Sequence, residues 1–366
     1  MKRIIAFLLL IATILALVGC GDGDGYQPVE STREEAETVY NIAFGDYDYE
    51  VPYELYRAFF LTHKSTVDKG NSAVWSSSDK DKYISEIDTL ILDDICEIYS
   101  VFALCDSVGI DIYSETVEDS IEEYVIASVE GGSVDNMSVA GYDGDYEKYL
   151  ESLKERYMNY SVQALLFRYA ICSEMLDAYF ASTADGGNLA VTEDDVRHFY
   201  YNESVRVIKA FYPTATDSDK KINTLETMIS IKSGIEQRAE NEDAACTYII
   251  GTHHTFGDAL RDGYVIGRYN LDESFYSELI DTAFSLDMHE VSDPIQIYAG
   301  GSSGYHILYR VATSESNFNS CYEAIESAYV DNHIGKQLHD VRIALISSAR
   351  ATTALIDRDR ASISMD

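Results

Sequence analysis

The side chains able to do chemistry are sparse in this sequence, and their spacing rules out most of what they could do. Beyond Cys20 there are five cysteines: Cys96, Cys105, Cys172, Cys246 and Cys321. None belongs to a Cys-x-x-Cys pair, so neither a zinc ribbon nor a dithiol redox motif is present. An odd number leaves at least one thiol without an intramolecular partner. Cys96 and Cys105 stand at helical spacing among apolar residues, where cysteine behaves as a small hydrophobe, so no essential disulfide framework is expected. His253 and His254 are adjacent, which suits a solvated loop better than a metal site. Asp22-Gly23-Asp24-Gly25 begins like a calcium loop but lacks the later ligands and the closing glutamate. No P-loop, His-Glu-x-x-His or Ser-His-Asp arrangement occurs, so nucleotide and hydrolase chemistry have no support. We expect no metal and no cofactor. Two polar residues remain inside apolar strand-like runs, Lys209 and His306. Alone they would read as an edge-strand charge and a hydrogen-bonded core residue.

Composition bounds what such residues could serve. The chain has 366 residues, enough for two domains with cores of their own. Its hydrophobic content of 46% argues against global disorder. The net charge is −36, from 63 acidic against 27 basic residues. A surface of that sign repels a phosphate backbone, which excludes nucleic acid as a main partner. Tyrosine is abundant, 29 against a single tryptophan, and suits half-buried surfaces that touch peptide, although most will serve packing.

The first twenty residues read as an address. Lys2 and Arg3 precede an apolar run over residues 4–18, the order of a secretory signal peptide. The run is too short for a bilayer core of roughly 30 Å. Leu17-Val18-Gly19-Cys20 resembles a bacterial lipobox. That resemblance implies cleavage before Cys20, acylation of its thiol and attachment to the outer face of the bacterial cell membrane, for which more than one acyl chain is needed. Residues 21–46, rich in Gly, Asp, Ser and Glu, read as a flexible tether.

Periodicity then sets the elements that must position Lys209 and His306. Apolar residues at three- and four-residue spacing predict helices over residues 52–67, 79–108 and 146–182. Gly109 closes the second, and Ser114 opens another that runs to about residue 129. Thr192 with Asp195 forms a capping box in carboxylate form. The segment 52–201 thus reads as all helical apart from loops. From Ser204 the texture changes. Residues 205–212 predict a strand ended by Pro213, and 264–267 a short strand. Residues 294–297 and 305–309 predict two strands around a glycine-rich turn. Helices are predicted over 217–240, 272–285 and 314–355.

Within that frame, four segments in order resemble a parvulin-type peptidyl-prolyl isomerase domain. They are Gly263-Tyr264-Val265-Ile266-Gly267, Ala283-Phe284-Ser285-Leu286, Glu290-Val291-Ser292-Asp293-Pro294-Ile295 and Gly304-Tyr305-His306-Ile307-Leu308. The helical part, with Gly109-Ile110 and Val191-Thr192-Glu193-Asp194-Asp195-Val196, resembles the N-terminal region of foldases of the PrsA and SurA type. The resemblance implies an α+β chain. A helical chaperone domain (47–202) would carry an inserted parvulin-like domain (203–312) with a small antiparallel four-stranded sheet flanked by helices. A helix over 313–356 would return to the N-terminal domain, and 357–366 would form a tail. It implies binding of unfolded or newly exported polypeptides, with proline-containing segments as substrate. His306 matches the second family histidine, and Ile266, Phe275 and Leu279 fall at the proline-pocket positions. Lys209 takes the place of the first histidine. That is a departure, because an ammonium cannot both donate and accept as a neutral imidazole does. A further family position is not aligned; Asp258 and His254 lie in its vicinity. The alternative implied is a non-catalytic holdase that keeps the fold. A solute-binding lipoprotein, the third option, would need two lobes of alternating strands and helices.

Overall fold

Alternating burial along residues 38–52 builds the first pair of elements. The computed structural model describes residues 38–68, 75, 78, 80–134, 137–139, 141–155, 158–213, 224–252, 263–271, 276–299 and 302–351. Strand β1 (Thr38–Phe44) buries Val39, Tyr40 and Ile42 and returns as β2 (Tyr47–Pro52). Gly45 holds φ at +60° in the turn, a value glycine adopts without steric cost. A tether reaching residue 46 is therefore too long, since it takes in the whole of β1. Acidic neighbours mask the alternation there. Residues 1–37 and 352–366, with the signal segment, Cys20 and the tail, lie outside the described residues, as do His253, His254, Asp258 and Phe275.

Helices α1 (Tyr53–Asp68) and α2 (Lys80–Ser107) follow. Ile87, Ile91, Ile95, Ile98 and Phe102 form one buried stripe on α2, each fully buried aliphatic side chain contributing roughly 1.5–3 kcal/mol. Gly109 ends the helix at φ +81°, and the Ile110 amide donates to the Cys105 carbonyl at 2.9 Å. Next come α3 (Glu115–Glu130), a hairpin of β3 (Gly132–Val134) and β4 (Met137–Val139), α4 (Tyr146–Glu155) and α5 (Tyr160–Tyr179). The continuous helix expected over 146–182 is thus two helices. Asn159 starts the second by accepting from the Val162 amide at 2.9 Å, as Asp145 starts the first from Lys148. The apolar spacing runs through the break, so periodicity alone joins them. The segment 52–201 is also not purely helical, because the β3–β4 hairpin interrupts it.

Beyond a short 3-10 turn, α6 (Glu193–His198) opens on the Thr192–Asp195 capping box and passes through a π turn at Phe199–Glu203 into β5 (Ser204–Pro213). Then come α7 (Thr224–Glu236), α8 (Glu242–Thr252), β6 (Tyr264–Gly267), α9 (Ser277–Ser285), β7 (Ile295–Ala299), β8 (Ser302–Val311), α10 (Glu315–Ser320), α11 (Tyr322–Ser348) and β9 (Arg350–Ala351). Helix α8 had no counterpart among the sequence expectations; α7 and α9 fall within the helices expected over 217–240 and 272–285, of which residues 217–223 and 272–275 lie outside the described residues. The expected helix over 314–355 is α10, α11 and then a strand.

Contacts divide the chain into two compact units. One is residues 179–336; the other is discontinuous, formed by the residues before 179 and after 336. The discontinuous unit closes on itself where β9 pairs with β1, Tyr40 opposite Ala351, giving a sheet of order β2-β1-β9. The contiguous unit is wider than the span 203–312, because Val196, Phe199 and Tyr200 pack with Phe318 and Ile325 in a cluster of their own.

The antiparallel sheet of the contiguous unit has the order β6-β5-β8-β7. Side-chain alternation gives it two buried faces. One presents Ile208, Ala210, Ile307, Tyr309 and Val311 to Met228, Ile231 and Ile235 of α7 and Ala245, Cys246 and Ile249 of α8. The other presents Val205, Val207, Ile266 and Leu308 to Leu279, Ile280 and Ala283 of α9. Buried Arg206 fastens α8 to the first face. It donates to the Ala312 carbonyl and lies 3.2 Å from Glu242, whose other oxygen accepts from the Ala312 amide.

Candidate functional site

The α9 face of the sheet gathers most of the residues singled out by the sequence. On β5 the odd positions 205, 207, 209 and 211 point to this side, and the register fixes what stands beside them. Val205 is opposite Ile266, Val207 opposite Tyr264, Lys209 opposite Leu308, and Phe211 opposite His306. Half of the face lies under α9 and is dry: Ile266 and Leu279 are both 0% exposed. The other half lies toward the Pro213 end of β5 and holds Lys209, Phe211, Tyr264 and His306. All but His306 are partly accessible there.

The geometry of this second half is tight. The Phe211 and His306 rings meet at 4.7 Å between centroids, tilted by 41°. Phe211 lies directly over Gly304, where any Cβ would run into its ring. Glycine at 304 is therefore what lets the ring lie flat against β8. Lys209 holds its Nζ 5.1 Å from the centroid of Tyr264, a cation–π contact. His306 is only 7% exposed, and its Nδ1 makes no hydrogen bond among the described residues. Burial, reinforced by the positive charge of Lys209, pulls its pKa down to about 4. At neutral pH the ring is an uncharged imidazole with one N–H donor and one acceptor nitrogen.

Ser292, from the Glu290–Ile295 segment, has a scaffolding task. Its backbone amide donates to the Leu308 carbonyl at 2.8 Å, and its hydroxyl accepts from the Leu308 amide at 2.9 Å. It completes the ladder of β8 next to Lys209 just before β7 begins. Gly267, at the end of β6, lies against Asn332 of α11, which leaves no room for a Cβ. The Asn332 side-chain oxygen accepts from the Tyr269 amide at 2.9 Å, holding the turn after β6 to the helix.

Lys209, Ile266, Leu279 and His306 thus share one side of the sheet, with Ile266 and Leu279 in its closed core. Phe211 and Tyr264 were not picked from sequence as site residues, although the two-residue alternation of β5 that carries Lys209 also carries Phe211. Among the described residues no cluster of three His, Cys, Asp or Glu side chains could hold a metal ion, and no helix is long and apolar enough to cross a membrane.

Architecture and site together define a class of fold: a four-stranded antiparallel sheet with helices on both faces, in a contiguous stretch of sequence that interrupts the sequence of a mainly helical unit. Solved structures that resemble the chain include three foldase proteins. The foldase protein PrsA of Streptococcus pneumoniae is 14% identical over 76% of this chain and 85% of its own, with a TM-score of 0.29. PrsA of Bacillus subtilis is 14% identical over 73% and 87%, TM-score 0.23. The foldase protein PrsA of Lactococcus lactis is 10% identical over 90% and 100%, TM-score 0.24. No protein-family model and no curated protein sequence matches the chain.

Proposed function

We propose that this protein is an extracytoplasmic folding factor, anchored through Cys20, that binds unfolded exported chains and accelerates rotation about X-Pro bonds. The observation that supports this best is the neutral, buried His306, with an unpartnered ring nitrogen, beside Phe211 and Lys209 on one sheet face. Amide resonance opposes rotation by roughly 18–20 kcal/mol, and unassisted X-Pro isomerisation takes tens to hundreds of seconds. No bond has to break. A site need only bind the twisted imide better than either planar form. In this reading Phe211 packs the proline ring, His306 donates to or accepts from the twisting imide, and the Lys209 ammonium draws the freed carbonyl oxygen. Each 1.36 kcal/mol of such preference is worth about tenfold in rate.

A non-catalytic holdase is the second reading, and one observation favours it. Ile266 and Leu279, expected to line a proline pocket, are filled in by Val205, Val207, Ile280, Ala283 and Leu308 and expose nothing. A solute-binding protein fits less well, since the sheet flanked by α7, α8 and α9 is antiparallel throughout.

A protease-coupled assay with a panel of X-Pro peptides, run on the chain from Cys20 onward, separates the two. Isomerase action predicts acceleration that falls at least about tenfold in His306→Ala, the loss of one transition-state contact of ~1.4 kcal/mol. No acceleration, with an unfolded client still kept from aggregating, establishes the holdase.

A further inference from the structure

The discontinuous unit carries a groove that the isomerase reading does not use. It is a concavity of about 490 Å³ along one face of α3, closed on the other side by the starts of α4 and α5. Its floor is Ile121, Val125 and Val129, all buried. Above them Ile126, Tyr146 and Tyr160 are 46%, 46% and 40% exposed, three large apolar side chains left open on one surface. Isolated exposed hydrophobes need no explanation, but three around one concavity mark a surface that binds something.

The rim says what. Among the described residues the groove is edged by Glu118, Glu122 and Glu130 and by no basic residue. Glu118 is held by Arg168 at 2.8 Å. Glu122 and Glu130 form no ion pair among the described residues. The Tyr160 hydroxyl is raised in pKa by partial burial and by the nearness of Tyr146, Glu122 and Glu118, so the carboxylates and the apolar walls face the same space. A second copy of this chain, itself at net charge −36, would bring like charge to that rim, and so would an anionic lipid surface.

We propose that this groove docks a cationic amphipathic polypeptide segment. Its apolar side chains lie against Ile121, Ile126, Tyr146 and Tyr160, and its lysines or arginines reach Glu122 and Glu130. The site is independent of His306 and holds whether the protein is an isomerase or a holdase. It gives client choice a chemical rule: apolar stretches flanked by basic residues are preferred, and acidic ones are turned away.

The test uses the purified chain and a fluorescein-labelled synthetic peptide of leucine and lysine in amphipathic order, read by fluorescence anisotropy. Two control peptides replace lysine by glutamate, or leucine by glycine and serine. The proposal expects binding of the leucine–lysine peptide alone. It also expects a loss of about tenfold in Glu122→Gln/Glu130→Gln, from two partly exposed ion pairs, with a shallower salt dependence. Ile126→Ser weakens binding without changing the circular dichroism, because Ile126 is exposed. Equal binding of the glycine–serine–lysine peptide would reduce the site to bulk acidity and overturn the proposal. Unchanged affinity in both variants would overturn it as well, as would binding of the variants' groove to anionic vesicles in place of peptide. Binding that survives His306→Ala, in a chain with no isomerase activity, separates failure of the isomerase reading from failure of this one.

Discussion

At the scale of single residues, His306 decides the most. Its ordinary pKa of 6.5 falls to about 4 in the folded chain because the ring is buried, with Lys209 adding repulsion. Above pH 6.5 folded and unfolded chains both keep it neutral. Between pH 6.5 and 4 the unfolded chain takes up a proton that the folded chain refuses. Stability is therefore complete above pH 6.5 and declines as the pH falls through that window, by up to about 3 kcal/mol. Urea midpoints measured from pH 7 to pH 4 should show this slope, and His306→Phe should lose the part due to the ring while keeping that of the carboxylates. Lys209→Met should raise the His306 pKa in an NMR titration, and an unmoved pKa would mean that burial acts alone. The sequence exposed Lys209 and His306 because a charge and an imidazole stand out in apolar strands. Phe211 stayed hidden because an aromatic in a strand looks like any core residue. Only the register opposite His306, together with Gly304 below it, distinguishes this ring.

At the scale of elements, the two glycines of Gly263–Gly267 serve different ends. Gly263 needs its φ of +76° to enter β6, whereas Gly267 makes room for Asn332 of α11. Gly267→Ala should push Asn332 away and break its hydrogen bond to the Tyr269 amide. The expected cost is about 1–3 kcal/mol in a urea melt; a cost under about 0.5 kcal/mol would show that α11 gives way freely. Elements with strong local signals were legible: the isoleucine stripe of α2, the Thr192 capping box, and the strands around Lys209 and His306. Those that depend on distant partners were not. Strand β1 is stabilised by β2 and by residues 350–351, so its seven residues carry little local evidence. The break between α4 and α5 rests on one asparagine cap inside an unbroken apolar rhythm. Helix α8 presents Ala245, Cys246 and Ile249 to the sheet through a composition too bland to stand out.

For the whole molecule, the charge of −36 sets the long-range physics. Like charges on one chain repel and oppose compaction, and salt screens them: the Debye length shrinks from about 30 Å at 0.01 M to about 8 Å at 0.15 M ionic strength. The thermal midpoint should therefore rise with sodium chloride over that range. A flat or falling midpoint would mean that specific ion pairs, such as Arg342 with Asp93 at 2.9 Å, outweigh the general repulsion. The α+β class and the placing of a sheet within a helical chain were readable from the change of texture at Ser204. The true seams at 179 and 336 were not, because they fall inside or beside helices whose periodicity does not change.

The pairing of β9 with β1 has a consequence for the order of events in a newborn chain. A polypeptide leaves a ribosome or a membrane channel N-terminus first. The unit of residues 179–336 is complete in sequence as soon as residue 336 has emerged. The unit that begins earlier must wait for residues 350–351 before its sheet can close. The first part of the chain to appear is thus the last to be finished, and until then β1 offers one unpaired edge to its surroundings.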